Sequence, residues 1–146
     1  MSYWDTSTLV KLYTLESDST LFENYAQSTP AKLVTSGIAL YEASATFRRK
    51  ESEGVLQPGY AEQLYAQLLQ DVAAGELRLL ELDGDVEREY GQVLGACYRQ
   101  APAISLRTLD ALHLAAARVA GETELVATDK RMRDAARLLG FTLFPV

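Results

Sequence analysis

Short apolar runs alternate with longer amphipathic stretches along the whole chain, and this alternation limits the fold more than any other feature. "SYWD", "KLVTS", "LRLLEL", "ELVAT" and "FTLFPV" are brief and apolar. Between them lie segments whose apolar residues recur at helical spacing. They are "TSTLVKLYTLE", "STLFENYAQS", "GIALYEASATFRRKES", "GYAEQLYAQLLQDVAAG", "DVEREYGQVLGACYRQ", "SLRTLDALHLAAARVAG" and "KRMRDAARLLG". Strands in alternation with helices predict an α/β fold with a mainly parallel sheet and helices on both faces. Continuously apolar strands suit burial on both sides.

The punctuation agrees with this reading. The four prolines, at 30, 58, 102 and 145, fall near element edges. Ser36 is placed to cap the helix of "GIALYEASATFRRKES", and Gly54 to end it. Pro58 is expected at a first helical position, and Gly75, Gly121 and Gly140 follow helices. Asp83 or Asp85 opens its helix. No repeat, linker or low-complexity stretch appears, so residues 1–146 read as one domain. The opening "MSYWDTSTLVKLY" lacks a basic leader region and is broken by Asp5 and Lys11. No apolar run reaches the ~18 residues of a membrane span. Cys97 is the single cysteine, and it reads as a structural thiol in a reducing cytoplasm.

In parallel sheets, ligands bind beyond the carboxyl ends of the strands. Asp5 ends the first strand and Asp129 follows "ELVAT". Glu42 lies about two turns into the helix after "KLVTS". Asp110 lies in the first turns of "SLRTLDALHLAAARVAG", with Ser105 or Thr108 as the cap. Four acids from four segments therefore point to one rim. Each has a plainer reading: Asp5 and Asp129 as helix caps, Glu42 as a solvated surface acid, Asp110 as a favourable charge near a helix start. Jointly they are harder to explain. Two carboxylates ~4 Å apart repel by about 4 kcal/mol at an effective dielectric of about 20. A cluster of them calls for a cation or for protonation. Oxygen-only donors select Mg²⁺ or Mn²⁺, which suits work on a phosphate.

With those residues in place, the chain resembles the PIN-domain family, in particular the VapC-type toxins of bacterial and archaeal toxin–antitoxin pairs. "YWDTSTLVKLY" resembles the family's opening strand, Asp-x-Ser and helix. "SGIALYEASATFRR" is similar to its second acidic segment, "RTLDALHLAAA" to its third and "VATDKRMRDAARLLGF" to its last. The resemblance implies a three-layer α/β/α sandwich with a mainly parallel central sheet of about five short strands. It further implies a Mg²⁺- or Mn²⁺-dependent endoribonuclease. Asp5, Glu42, Asp110 and Asp129 would hold the metal, and a water that the ion activates would hydrolyse the phosphodiester to leave a 5′-phosphate. A cognate antitoxin and a homodimer are the implied protein partners.

Ser7 and Thr128 stand beside the acids and are expected to support them or to touch phosphate. Thr108 reads as a cap. His113 is one turn after Asp110 and is expected to be packed and hydrogen-bonded rather than a ligand. Arg107 is placed either to bind a phosphate or to pair with the acids. Arg48, with Arg49 and Lys50, and Lys130 and Arg131, with Arg133 and Arg137, are candidates to track an RNA backbone. Their plainer reading is a solvated face paired with Glu51, Glu53 and Asp134. Tyr13, Phe22, Tyr25, Tyr60 and Tyr65 read mostly as core, with some left for an antitoxin groove or a dimer face.

The net charge of −6 argues against holding nucleic acid by general electrostatics, though not against an enzyme with a metal-filled acidic pocket. Two other readings keep the same fold: an RNA-processing nuclease outside any toxin pair, and an inactive RNA-binding module. The four intact acids speak against the last. A phosphatase lacks support, because no Asp-x-Asp follows the first strand and no P-loop occurs.

Overall fold

The computed structural model describes residues 2–30 and 32–146; Met1 and Ala31 lie outside the described residues. Five short strands form one sheet: β1 (Ser2–Trp4), β2 (Leu33–Ser36), β3 (Leu77–Leu80), β4 (Glu124–Val126) and β5 (Thr142–Phe144). Their order is β3-β2-β1-β4-β5, and every pairing is parallel. The helices are α1 (Thr6–Val10), α2 (Ser19–Ser28), α3 (Ile38–Ser52), α4 (Tyr60–Ala73), α5 (Gly84–Tyr98), α6 (Thr108–Val119) and α7 (Lys130–Leu138). Among the described residues no helix is long and apolar enough to cross a membrane.

Strand alternation splits the interior into two cores. On one face, Tyr3, Val34 and Leu125 pack with Val93 and Cys97 of α5, Leu114 and Ala115 of α6, and Met132 of α7. On the other, Trp4, Leu77 and Val126 pack with Leu9, Phe22, Phe47 and Leu68 from α1 to α4. Tyr3 and Trp4 are adjacent in sequence, yet each is buried in a different core. That is the two-residue period of a strand sandwiched between helical layers. Cys97 is a buried free thiol, as expected.

Chain order places the functional rim. From β1 the chain steps outward to β2 and β3, then returns to add β4 and β5 on the other side of β1. β1 and β4 therefore flank a topological switch point, where α/β sheets open a crevice beyond the strands' carboxyl ends. Asp5 and Asp129 lie there, just past β1 and β4.

Several local expectations shift. α1 stops at Val10 rather than running to Glu16. The Thr14 hydroxyl donates to the Val10 carbonyl, and Ser19 Oγ donates to Thr14 O while accepting from Glu16 N. These local bonds give the backbone an alternative to continuing the helix. Ser36 does not cap α3: Gly37 occupies the cap position, with no side-chain bond. Pro58 lies two residues before α4, whose first amides are instead served by Glu51 Oε1, which accepts from Gly59 N and Ala61 N. α6 begins at Thr108, so the cap residue is Arg107 and neither Ser105 nor Thr108. At its other end Gly121 takes φ 75°, and Glu122 N donates to Ala117 O, turning the chain into β4.

The buried face of α6 includes Ala111, Ala115, Ala116 and Ala117, which bring the helix close to its neighbours. Ala115→Leu is expected to cost about 1–3 kcal/mol by overpacking. Chemical denaturation of the two proteins checks this.

Candidate active site

The four acids reach one pocket by four routes. Asp5 leaves β1 in extended conformation and stands at the cap position of α1. Only its backbone carbonyl serves the helix, accepting from Thr8 N and Leu9 N. Its carboxylate makes no capping bond and instead accepts from Ser7 Oγ at 2.9 Å. Glu42 projects from α3, Asp110 from the first turn of α6, and Asp129 from the turn after β4. Asp129 caps a helix, as one reading foresaw, and lines the pocket as well. Its Oδ1 caps α7 by accepting from Met132 N at 3.0 Å, while Oδ2 faces Arg107.

The pocket measures about 420 Å³ and is lined by all four acids together with Ser7, Thr128 and Arg107. Thr6, Glu16, Thr46, Arg49 and Lys50 complete most of its wall. Asp5 and Asp110 are almost fully buried. Burial pushes the Asp5 carboxyl above its ordinary range. The nearby Asp110 and Glu42 carboxylates push the same way, against the pull of His113 and Ser7. Burial also acts to raise Glu42, but the hydrogen bonds from His113 and Thr6 and the charge of Arg107 outweigh it and hold Glu42 below its ordinary value.

Arg107 sets a cation directly against two of these acids. Its Nε lies 3.0 Å from Asp110 Oδ2 and its Nη2 lies 3.9 Å from Asp129 Oδ2. Asp110 in turn holds the Arg107 guanidinium above its ordinary pKa. Among the described residues no three His, Cys, Asp or Glu side chains close on one point as a ready cage. The donor chemistry nevertheless fits a hard divalent ion: carboxylate oxygens from four elements, two hydroxyls beside them, and an open mouth for waters and phosphate.

His113 is fully buried, packed and hydrogen-bonded, with Nε2 2.5 Å from Glu42 Oε1. The basic candidates separate. Arg49, Lys50 and Arg107 line the pocket, whereas Arg48, Lys130 and Arg131 lie outside its wall. Lys130 and Arg137 pair with Asp134, the plainer reading of that face. Helical geometry accounts for the first group. Thr46, Arg49 and Lys50 follow Glu42 by four, seven and eight residues on one face of α3, while Arg48 follows by six. That spacing was available in the sequence. Glu16 was not, because the apolar period of "TSTLVKLYTLE" continues through the turn that brings it to the pocket. There Glu16 pairs with Lys11 at 3.3 Å and lies 3.9 Å from Lys50.

A five-stranded parallel sheet with an acidic pocket beyond its β1–β4 switch point defines the class of fold, an α/β protein with its crevice at the strands' carboxyl ends. The family model for the PIN domain matches residues 2–138, and the chain belongs to that family. It is 30% identical over 148 residues to Ribonuclease VapC35 of Mycobacterium tuberculosis, covering 98% of this chain and 95% of that protein. Its fold is shared with FitAcB from Neisseria gonorrhoeae, with a TM-score of 0.71 at 15% identity over 99% of this chain and 96% of the other. It is shared also with VapC20 of Mycobacterium tuberculosis, described as a Sarcin-Ricin loop cleaving toxin, with a TM-score of 0.66 at 20% identity over 92% and 95%. VapBC2 from Rickettsia felis, bound to a DNA fragment from its promoter, gives 0.64 at 19% over 98% and 97%.

The raised Asp5 pKa has a consequence for stability. A carboxyl raised on folding binds more protons in the native than in the unfolded chain, so its contribution turns unfavourable as pH rises through the carboxylate range. Asp5→Asn is expected to raise the melting temperature in EDTA at neutral pH. The gain should vanish at pH values low enough to protonate Asp5 in both states. Thermal melts across pH check the sign.

Proposed function

We propose that the protein is a Mg²⁺- or Mn²⁺-dependent endoribonuclease and the toxin of a toxin–antitoxin pair, acting in the cytoplasm as a single nuclease domain. One observation carries the reading: carboxylates from four separate elements share the switch-point pocket with a single bridging guanidinium. A relative 30% identical over nearly the whole chain is named a ribonuclease, which supports the substrate class. Solved structures of the same fold, described as VapBC2 bound to promoter DNA and as a toxin–antitoxin complex from Klebsiella pneumoniae, support a protein antitoxin as partner. A homodimer fits the same reading.

Asp5, Glu42, Asp110 and Asp129 would hold the metal. When bound, the ion supplies an activated water and offsets charge on the phosphate and the leaving oxygen. This chain's own residues do the rest. Ser7 fixes the Asp5 carboxylate. Arg107, two-thirds exposed along its side chain, is free to exchange Asp110 and Asp129 for an RNA phosphate. Arg49 and Lys50 give the backbone a cationic approach in a chain whose net charge is −6. A carboxylate of the set accepts the proton that the attacking water loses.

Purified protein is expected to cleave a structured RNA pool with Mg²⁺ or Mn²⁺, to stop in EDTA and to leave 5′-phosphate ends. Asp110→Asn should keep the fold by circular dichroism. It should lose more than the roughly 10–100-fold typical of a group that only supports a metal ligand. Undiminished cleavage by Asp110→Asn, or cleavage that persists in EDTA, would contradict the reading.

A further inference from the structure

Beneath the pocket lies a buried chain of polar groups that the proposed chemistry does not use. Tyr3 and His113 are both completely buried, the first in β1 and the second in α6. Tyr3 Oη lies 2.5 Å from His113 Nδ1, and the rings meet edge to face with centroids 5.7 Å apart. On the far side of the imidazole, Nε2 lies 2.5 Å from Glu42 Oε1. Thr6 Oγ1 donates to the same oxygen at 2.7 Å and lies 3.2 Å from Nε2.

A carboxylate oxygen only accepts hydrogen bonds, so the contact at Glu42 requires the proton on Nε2. In the neutral ring Nδ1 then carries a lone pair deep in an apolar core, where an unpaired polar atom is costly. The Tyr3 hydroxyl, 2.5 Å away, is the donor in reach. We infer that Tyr3 and His113 are positioning residues for Glu42: the phenol selects the Nε2–H tautomer, and the imidazole and Thr6 together hold Glu42 Oε1 so that Oε2 is presented to the pocket. The role given to Glu42 rests on the metal-nuclease reading. The hydrogen-bond order does not.

Neither end of this chain is redundant. With the other tautomer, Nε2 would turn a lone pair toward the carboxylate, and Glu42 would lose the donor that ties α3 to α6. Tyr3 thus acts on the pocket from the opposite core, through one ring. The arrangement is that of a histidine held in one tautomer by the group on its far nitrogen, as outer partners orient the groups that bind metals.

His113 is the single histidine of the chain, so its ring nitrogens are assigned without ambiguity. Long-range ¹H–¹⁵N spectra of the histidine-labelled wild-type protein at neutral pH are expected to show a protonated Nε2 and a bare, pyridine-like Nδ1. A proton on Nδ1, alone or together with Nε2, overturns the inference without any variant being made. Tyr3→Phe keeps the ring and removes the donor. It should move the Nδ1 resonance, which loses its hydrogen bond, and weaken Mn²⁺ binding about tenfold by calorimetry. His113→Gln, which retains an N–H near the Nε2 position, should recover more Mn²⁺ affinity than His113→Leu of similar bulk. An unchanged Nδ1 resonance and unchanged affinity in Tyr3→Phe overturn the inference. If the wild-type protein binds no Mn²⁺, the metal reading of the pocket fails, while the spectrum still decides the hydrogen-bond order.

Discussion

Repulsion among carboxylates is the constraint on which the rest of this molecule depends. Parallel strands deliver their carboxyl ends to one rim, and here the two central strands each run into an aspartate at that rim. Helices α3 and α6 add Glu42 and Asp110. Charges so arranged oppose folding unless something offsets them. Arg107 does so in part, bridging toward Asp110 and Asp129, and Ser7, Thr6 and His113 supply donors to Asp5 and Glu42. Burial first, and the Asp110 and Glu42 charges after it, push the Asp5 carboxyl up. A bound divalent cation would supply further opposite charge to these carboxylates.

Those cores also explain how the site is aimed. Adjacent residues of β1 are buried on opposite faces: Trp4 anchors the α1–α4 side, and Tyr3 anchors the α5–α7 side. The next residue is Asp5, so the position of its carboxylate is set by both layers at once. Asp110 is similarly fixed by the buried alanines and Leu114 that follow it in α6. The apolar residues around Asp110 are therefore the footing of the carboxylate. Precision of this kind is needed where groups from separate elements must share one ligand.

Much of this could be read from the sequence, for identifiable reasons. Strand and helix periods differ, so the alternation of "KLVTS" or "ELVAT" with longer amphipathic segments gave the layer order. Acids placed just after apolar strands marked the rim, so Asp5 and Asp129 needed only the parallel-sheet rule, whereas Asp110 stood out as an acid at the start of an apolar helix. The failures are local. Side-chain hydroxyls of Thr14 and Ser19 break a helix whose apolar period runs on, which hid Glu16. The α4 start is served by Glu51, eight to ten residues upstream, rather than by Pro58. No periodic rule reports such a contact. Of the three basic candidates on α3, Arg49 and Lys50 reach the pocket and Arg48 does not, because only the first two share the helical face of Glu42. The role of Tyr3 depends on a contact across 110 residues of sequence, which only the folded chain supplies.

Calorimetric titration of the metal-free protein with Mn²⁺ tests the central claim most directly. The account predicts saturable binding, its loss in Asp110→Asn, and tighter binding in Arg107→Gln, where the resident guanidinium no longer competes. Absence of saturable binding to the folded protein, or binding that Asp110→Asn leaves unchanged, would contradict it.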